Sequence, residues 1–291
     1  MKLGIIIETK EPEKACRLLS RAADMLEAHG SPEEAADTIR SIDPARAVAL
    51  YTKTAEKHEK NDDYGNTVRC YVAAAEILED RNPEKACRLY LKSMEVILKT
   101  SSPAIYDYVW LLRPSVCERA ASAVKGKNPR LAASLLESLS HFRQERIAAY
   151  SLQGQPVDEA AEAEDPLPAC IENRAQAADL FALSNSKKAC RLYHEAAEMW
   201  KVVYSPFEKE HEAAVTKTYT RGIARLLETG NPVQAFDLYY LYREWDSGRP
   251  FDRDKATRLL SSAFSREALN KFLGDVRNCS PDGVREFFRN L

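Results

Sequence analysis

The amino-acid sequence predicts an all-α protein built from one recurring helix pair, and three observations carry that expectation. The word K-A-C-R-L occurs three times, opening at Lys14, Lys85 and Lys188. Around it, Ala15, Ala47, Ala86, Ala132, Ala189 and Ala235 each begin an apolar stripe of the form A-x-x-L-[LY]. Finally, Gly is scarce at 10 of 291 residues, while Ala, Leu, Glu, Lys and Arg dominate, a mixture that favours helix throughout.

Each element follows from local chemistry. Four residues after each stripe alanine stand Leu19, Tyr51, Tyr90, Leu136, Tyr193 and Tyr239, and seven residues after stand the small Ala22, Thr54, Ser93 and Ala196. Those spacings place the side chains on one helical face. Helix starts precede the stripes at Asp43-Pro44, Asn82-Pro83, Asn128-Pro129, Asn185-Ser186 and Asn231-Pro232. Asx accepts the orphan N–H groups of the first turn, and Pro suits the first helical position. A second class of start, Ser-Pro, falls at Ser31-Pro32, Ser102-Pro103, Ser205-Pro206 and Ser280-Pro281, and the first three, upstream of an Asx-Pro entry, are where partner helices are expected to begin.

Twelve residues before each stripe alanine lies Leu3, Ala35, Ala74, Ala120, Ala177 or Ile223, and the two larger ones adjoin Gly4 and Gly222. A small residue in one helix opposite the alanine that opens the next is the logic of tetratricopeptide repeats. Such pairs bury their apolar faces only by stacking. The predicted fold is therefore a tetratricopeptide-like α-solenoid of antiparallel helix pairs. The first helix of the second pair, about 32–41, is expected to be short. An irregular acidic loop is expected at about 150–168, where Gly154, three prolines and the run from Asp158 to Asp165 interrupt the pattern. Past Trp245 the stripe ends at the turn "DSGRP", and helices near 252–264, 265–277 and 281–290 are expected to form a C-terminal bundle. The expected division is 1–246 for the solenoid and 247–291 for the helical cap.

Bulk properties exclude several functions. A net charge of -2 argues against a nucleic-acid binder, whose domains are usually basic. The longest apolar run, Leu3 to Ile7, is far short of the roughly 18–20 residues of a membrane span. Seven cysteines without a C-x-x-C pair read as reduced cytosolic thiols, so the expected location is the cytoplasm, with peripheral membrane contact at most.

Candidate chemistry is thin. Cys16, Cys87 and Cys190 sit beside Lys and Arg, as an activated thiolate would. The same register holds Val48, Ala133 and Phe236 in other copies, so they are expected to be small, buried packing residues. Cys190 and His194 share a helical face, but no second pair among His29, His58, His141 and His211 completes a ligand set. No metal, cofactor or catalytic residue is expected, since no nucleotide-binding, zinc-protease or hydrolase motif occurs. Trp110, Trp200 and Trp245 read as packing anchors. One series stands out: Lys14, Arg17, Lys85, Arg88, Lys187, Lys188 and Arg191 recur at stripe-adjacent positions. Such charges usually make a solvated face, yet on a solenoid they can form a basic strip that meets an acidic helical partner.

Residues 11–78, with the "PEKA" stripe, the "HGSPEEAA" turn at 29–36 and "IDPARAVALYTKTAEKHEKN" at 42–61, resemble the soluble NSF attachment protein (SNAP) family, most of all its gamma type. "KKACRLYHEAAEMW", "FDRDKATRLLSSAF" and "LNKFLGDVRN" are similar to its last helix pair and end bundle. Residues 100–168 match poorly. The resemblance implies a non-enzymatic adaptor in vesicle transport that binds SNARE complexes and recruits an NSF-type ATPase to take them apart. Its basic sheet face implies partner binding for the lysine and arginine series. It also implies that the family's N-terminal helices and membrane-touching loop are missing or truncated here. The family's acidic tail is replaced by "VREFFRNL", so ATPase stimulation is the property least expected to carry over. Arg285, Phe288 and Leu291 are the residues that could face the ATPase. The alternative is a tetratricopeptide-like scaffold holding a peptide or chaperone tail in a concave groove.

Overall fold

Short capped segments with a 3.6-residue apolar period become short capped helices. The computed structural model describes residues 12–100, 112–153, 166–203 and 209–245, and among these the chain is all-α, with eleven helices and no strand. They are α1 (Pro12–Ala28), α2 (Pro32–Ile39), α3 (Pro44–Lys60), α4 (Tyr64–Leu78), α5 (Pro83–Thr100), α6 (Pro114–Val124), α7 (Pro129–Gln153), α8 (Pro166–Phe181), α9 (Ser186–Val203), α10 (Lys209–Glu228) and α11 (Pro232–Trp245).

The helix starts form as Asx chemistry dictates. Asp43 Oδ1 accepts from the Arg46 amide at 3.0 Å. Asn82, Asn128 and Asn185 accept the amides of Lys85, Leu131 and Lys188, each at 3.1 Å. Each such cap contributes about 1 kcal/mol. Asn231 uses its side chain differently, donating Nδ2 to the Ala182 carbonyl at 3.1 Å and so tying the α10–α11 turn to the end of α8. Ser31 precedes α2 without a side-chain cap bond. The other three Ser-Pro sites lie outside the described residues, and α6 starts at Arg113-Pro114. The start of α4 has no proline signal: Asp63 caps it by accepting from the Asn66 amide at 3.4 Å. Two helices stop in the same way, on a left-handed glycine. Gly30 (φ 83°) and Gly230 (φ 72°) let Ser31 and Asn231 donate back to Leu26 and Leu226.

The chain divides into two compact units, Met1–Ala161 and Glu162–Leu291. In the first, α1 to α7 each pack on their sequence neighbours, and α5 also meets α7. In the second, α8 to α11 pack in order, with α8 reaching α10 and α9 reaching α11. The dividing point falls in the segment read as an acidic loop. That segment is narrower than 150–168, because α7 continues to Gln153 and α8 begins at Pro166. Pro166 and Pro168 suit the first turn of α8, where N–H groups have no intrahelical partner. The expected cap, 247–291, and the turn and helices assigned to it lie outside the described residues.

Both cores are made from the stripe. All six stripe alanines are buried, as are Tyr51, Tyr90, Leu136, Tyr193 and Tyr239, while Leu19 is half-buried. Ala35, Ala74, Ala120, Ala177 and Ile223, on the helices between, are buried too. The closest approach is at Gly222 of α10, where a Cβ would lie 2.5 Å from Leu238 Cδ2 and 2.6 Å from Tyr193 Cγ. Glycine is required there by space, not by backbone conformation.

One sequence expectation is corrected. Cys16 is exposed, whereas Cys87 and Cys190 are buried as expected, together with Cys70, Cys117 and Cys170. On α1, Leu18 and Met25 are exposed as well, while Ala15 and Ala23 are buried. Burial pushes the Cys70 and Cys87 thiols up to about 12. A thiol reagent at pH 8 is therefore expected to label Cys16 quickly and the five buried thiols only on unfolding. Cys16→Ser should remove one fast-reacting equivalent in a stopped-flow assay.

Candidate partner-binding site

Lysine and arginine occur on ten of the eleven described helices, and they divide into those paired between helices and those left exposed. The stripe tyrosines mark the first kind. Tyr90 Oη donates to Glu79 Oε1 at 2.6 Å, Tyr51 Oη donates to Asp37 and Tyr193 Oη donates to Asp179. In each case a buried second-helix phenol is anchored to an acid of the preceding helix, and desolvation first, then the carboxylate, raises the phenol pKa.

Two of these acids also grip an arginine from the next pair, and other acids do the same without a phenol. Arg119 of α6 reaches Glu79, the C-cap of α4, at 3.2 Å. Arg221 of α10 contacts Asp179 and takes Glu172 of α8 in a fork at 2.9 and 3.0 Å. Arg69 of α4 meets Glu33 of α2, and Arg46 of α3 meets Asp24 and Glu27 of α1. At Glu79 and Asp179 the unit is phenol, carboxylate, guanidinium, and in all four cases the arginine ties one pair to the following one. The spacing carried a signal for it: Asp37 and Asp179 both precede their stripe tyrosines by fourteen residues.

The seven basic residues singled out from the sequence stand apart from this ladder. Lys14, Arg17, Lys85, Arg88, Lys187 and Arg191 are exposed, and Lys188 is half-exposed with its Nζ 4.3 Å from the Phe181 ring. Arg17 pairs with Glu13 at 3.7 Å and Arg191 with Glu195 at 3.4 Å, both one turn along their own helix. Exposed pairs of that type hold only about 0.3–0.5 kcal/mol, so a stronger acidic partner can displace them. The series is interrupted by the register itself. On α3 the position of Lys85 is Arg46, already engaged, and that of Arg88 is Ala49; on α7 the two positions are Leu131 and Ser134. The basic side chains thus stand as separate groups on α1, α5 and α9.

Among the other expected packing residues, Trp200 is half-buried and donates Nε1 to Thr218 Oγ1 at 3.0 Å. The side chains of Trp110 and Trp245 lie outside the described residues, as do Arg285, Phe288 and Leu291. Cys190 is buried, and His194 Nδ1 meets the Tyr219 hydroxyl at 2.8 Å. The fold instead converges Glu33, His58 and Cys70 from three successive helices, a grouping that sequence spacing did not reveal. No family model matches this chain, and no curated protein is similar to it by sequence comparison. Among the described residues no helix is long and apolar enough to cross a membrane.

Proposed function

We propose that this chain is a non-enzymatic adaptor of the soluble NSF attachment protein type, acting in vesicle transport. In this reading its helix pairs are antiparallel and stack as an α-solenoid, it works in the cytoplasm with peripheral membrane contact, and its basic groups engage the acidic surface of a SNARE bundle. An NSF-type ATPase is the second partner. The observation that carries the proposal is the division of labour among cations: Arg46, Arg69, Arg119 and Arg221 are consumed by carboxylates between helices, whereas Lys85 and Arg88 remain exposed at a register repeated on α1 and α9. The short capped turns and the packing of each helix on its neighbours support the stacked-pair architecture.

The test is retention of the purified chain on immobilised, assembled SNARE complexes, with and without the ATPase. Retention in neither condition would sink the proposal. Lys85→Glu with Arg88→Glu should lower retention at least tenfold, more steeply at low salt, because two attractive contacts become repulsive. The same double variant should unfold within about 0.5 kcal/mol of wild type per site in urea, since exposed substitutions leave the core intact.

A further inference from the structure

Glu33 on α2, His58 in the last turn of α3 and Cys70 on α4 offer three ligand atoms that all lie within 4.8 Å of one another. We propose that these three side chains form a site for a zinc-type divalent cation, with Asp63 and Arg69 holding two of the ligands in place. The inference is independent of the adaptor reading and concerns a different part of the molecule's chemistry.

The histidine carries the argument. Its Nδ1 lies 2.9 Å from Asp63 Oδ2, and its Nε2 lies 2.8 Å from Glu33 Oε1. Carboxylates only accept, and a neutral imidazole carries one N–H. The Asn66 side chain donates to Asp63 at 2.8 Å, which fixes that carboxyl as the acceptor for Nδ1–H. Nε2, on the other edge of the ring, faces Glu33 Oε1, so both atoms can bind one cation. This is the carboxylate–histidine–metal pattern in which an outer acid fixes the tautomer.

Arg69 supplies the second positioning contact. It pairs with Glu33 Oε2, which leaves Oε1 for the ion. Cys70 adds a sulfur from a side chain that is almost wholly buried, while Glu33 and His58 are half-buried and leave one side open. One sulfur, one imidazole nitrogen and one carboxylate oxygen suit zinc, whose open sites keep three protein ligands and a water. Bond lengths of about 2.0–2.3 Å in a tetrahedron separate ligand atoms by roughly 3.3–3.8 Å, so the Glu33–His58 contact would widen slightly on loading. Two anionic ligands neutralise a divalent ion, and Asp63 and Arg69 balance each other around it.

Cobalt(II) is the probe, because thiolate ligation gives an intense near-ultraviolet charge-transfer band. Chelator-treated full-length chain is expected to take up one cobalt ion with that band, and added zinc should abolish it. Cys70→Ala should eliminate the band, Cys87→Ala should leave it, and Asp63→Asn should weaken uptake about 10–100-fold. Far-ultraviolet circular dichroism of each variant checks that the helices persist. Two results would overturn the proposal: no stoichiometric uptake by wild type, or a band that survives in Cys70→Ala.

Discussion

Gly222→Val is expected to destabilise the second unit by about 3 kcal/mol or more, measured as the loss in urea-unfolding free energy of the full chain. Two effects oppose each other at this position. Removing a glycine from a helix interior favours folding by about 1 kcal/mol. Against that, the first added carbon would stand 2.5 Å from Leu238 Cδ2 and 2.6 and 2.8 Å from Tyr193 ring carbons. Neither neighbour can give way cheaply: both side chains are fully buried, and Tyr193 is fastened through its hydroxyl to Asp179. Overpacking costs typically about 1–3 kcal/mol for extra methylenes, and valine brings three carbons with a stiff χ1. Gly222→Ala should therefore be destabilising by about 1–2 kcal/mol in spite of its better propensity. Equal stability of Gly222→Val and wild type would show that α9, α10 and α11 do not meet as closely as this geometry has them.

Tyr90→Ala is expected to cost about 3–5 kcal/mol, through the first unit. The ring is fully buried between α4, α5 and α6, and truncation leaves a cavity that the surrounding helices can fill only in part. The hydroxyl contributes separately. Tyr90→Phe keeps the ring and removes the bond to Glu79, whose carboxylate retains Arg119 and solvent, so a loss of about 1 kcal/mol is expected. The ratio is the discriminating quantity. A phenylalanine variant as unstable as the alanine variant would falsify the assignment of this residue to packing, and the phenol–carboxylate bond would then be its main contribution to stability.

Most of the helical scaffold is legible in the sequence. Asp43, Asn82, Asn128 and Asn185 announce helix starts because capping is satisfied within a few residues. Ala47, Ala86 and Ala189 with Tyr51, Tyr90 and Tyr193 announce a buried face because helical period is a local property. Gly222 stands beside Ile223, at the register where other copies have a small residue. Sequence reasoning fails where neighbours decide. Cys16 has the same flanking word as Cys87 and Cys190, yet it is exposed, since burial depends on what covers a helix and not on the helix itself. Likewise Asp63 starts a helix without a proline to mark it.

The candidate sites divide along the same line. That Lys85 and Arg88 repeat Lys14 and Arg17 is a fact of sequence, and so is the alternation of stripe and small residue that sets their register. That Arg46, in that same register, is spent on Asp24 and Glu27 emerges only when α3 lies against α1. Glu33, His58 and Cys70 are 25 and 12 residues apart and carry no motif. They converge because three helices joined by tight turns bring one position of each to the same place. Local composition determines which segments coil and which face turns inward, since both depend on contacts a few residues apart. Which charges are neutralised, which thiol is covered and which ligands meet are properties of packing between helices, and only the folded chain decides them.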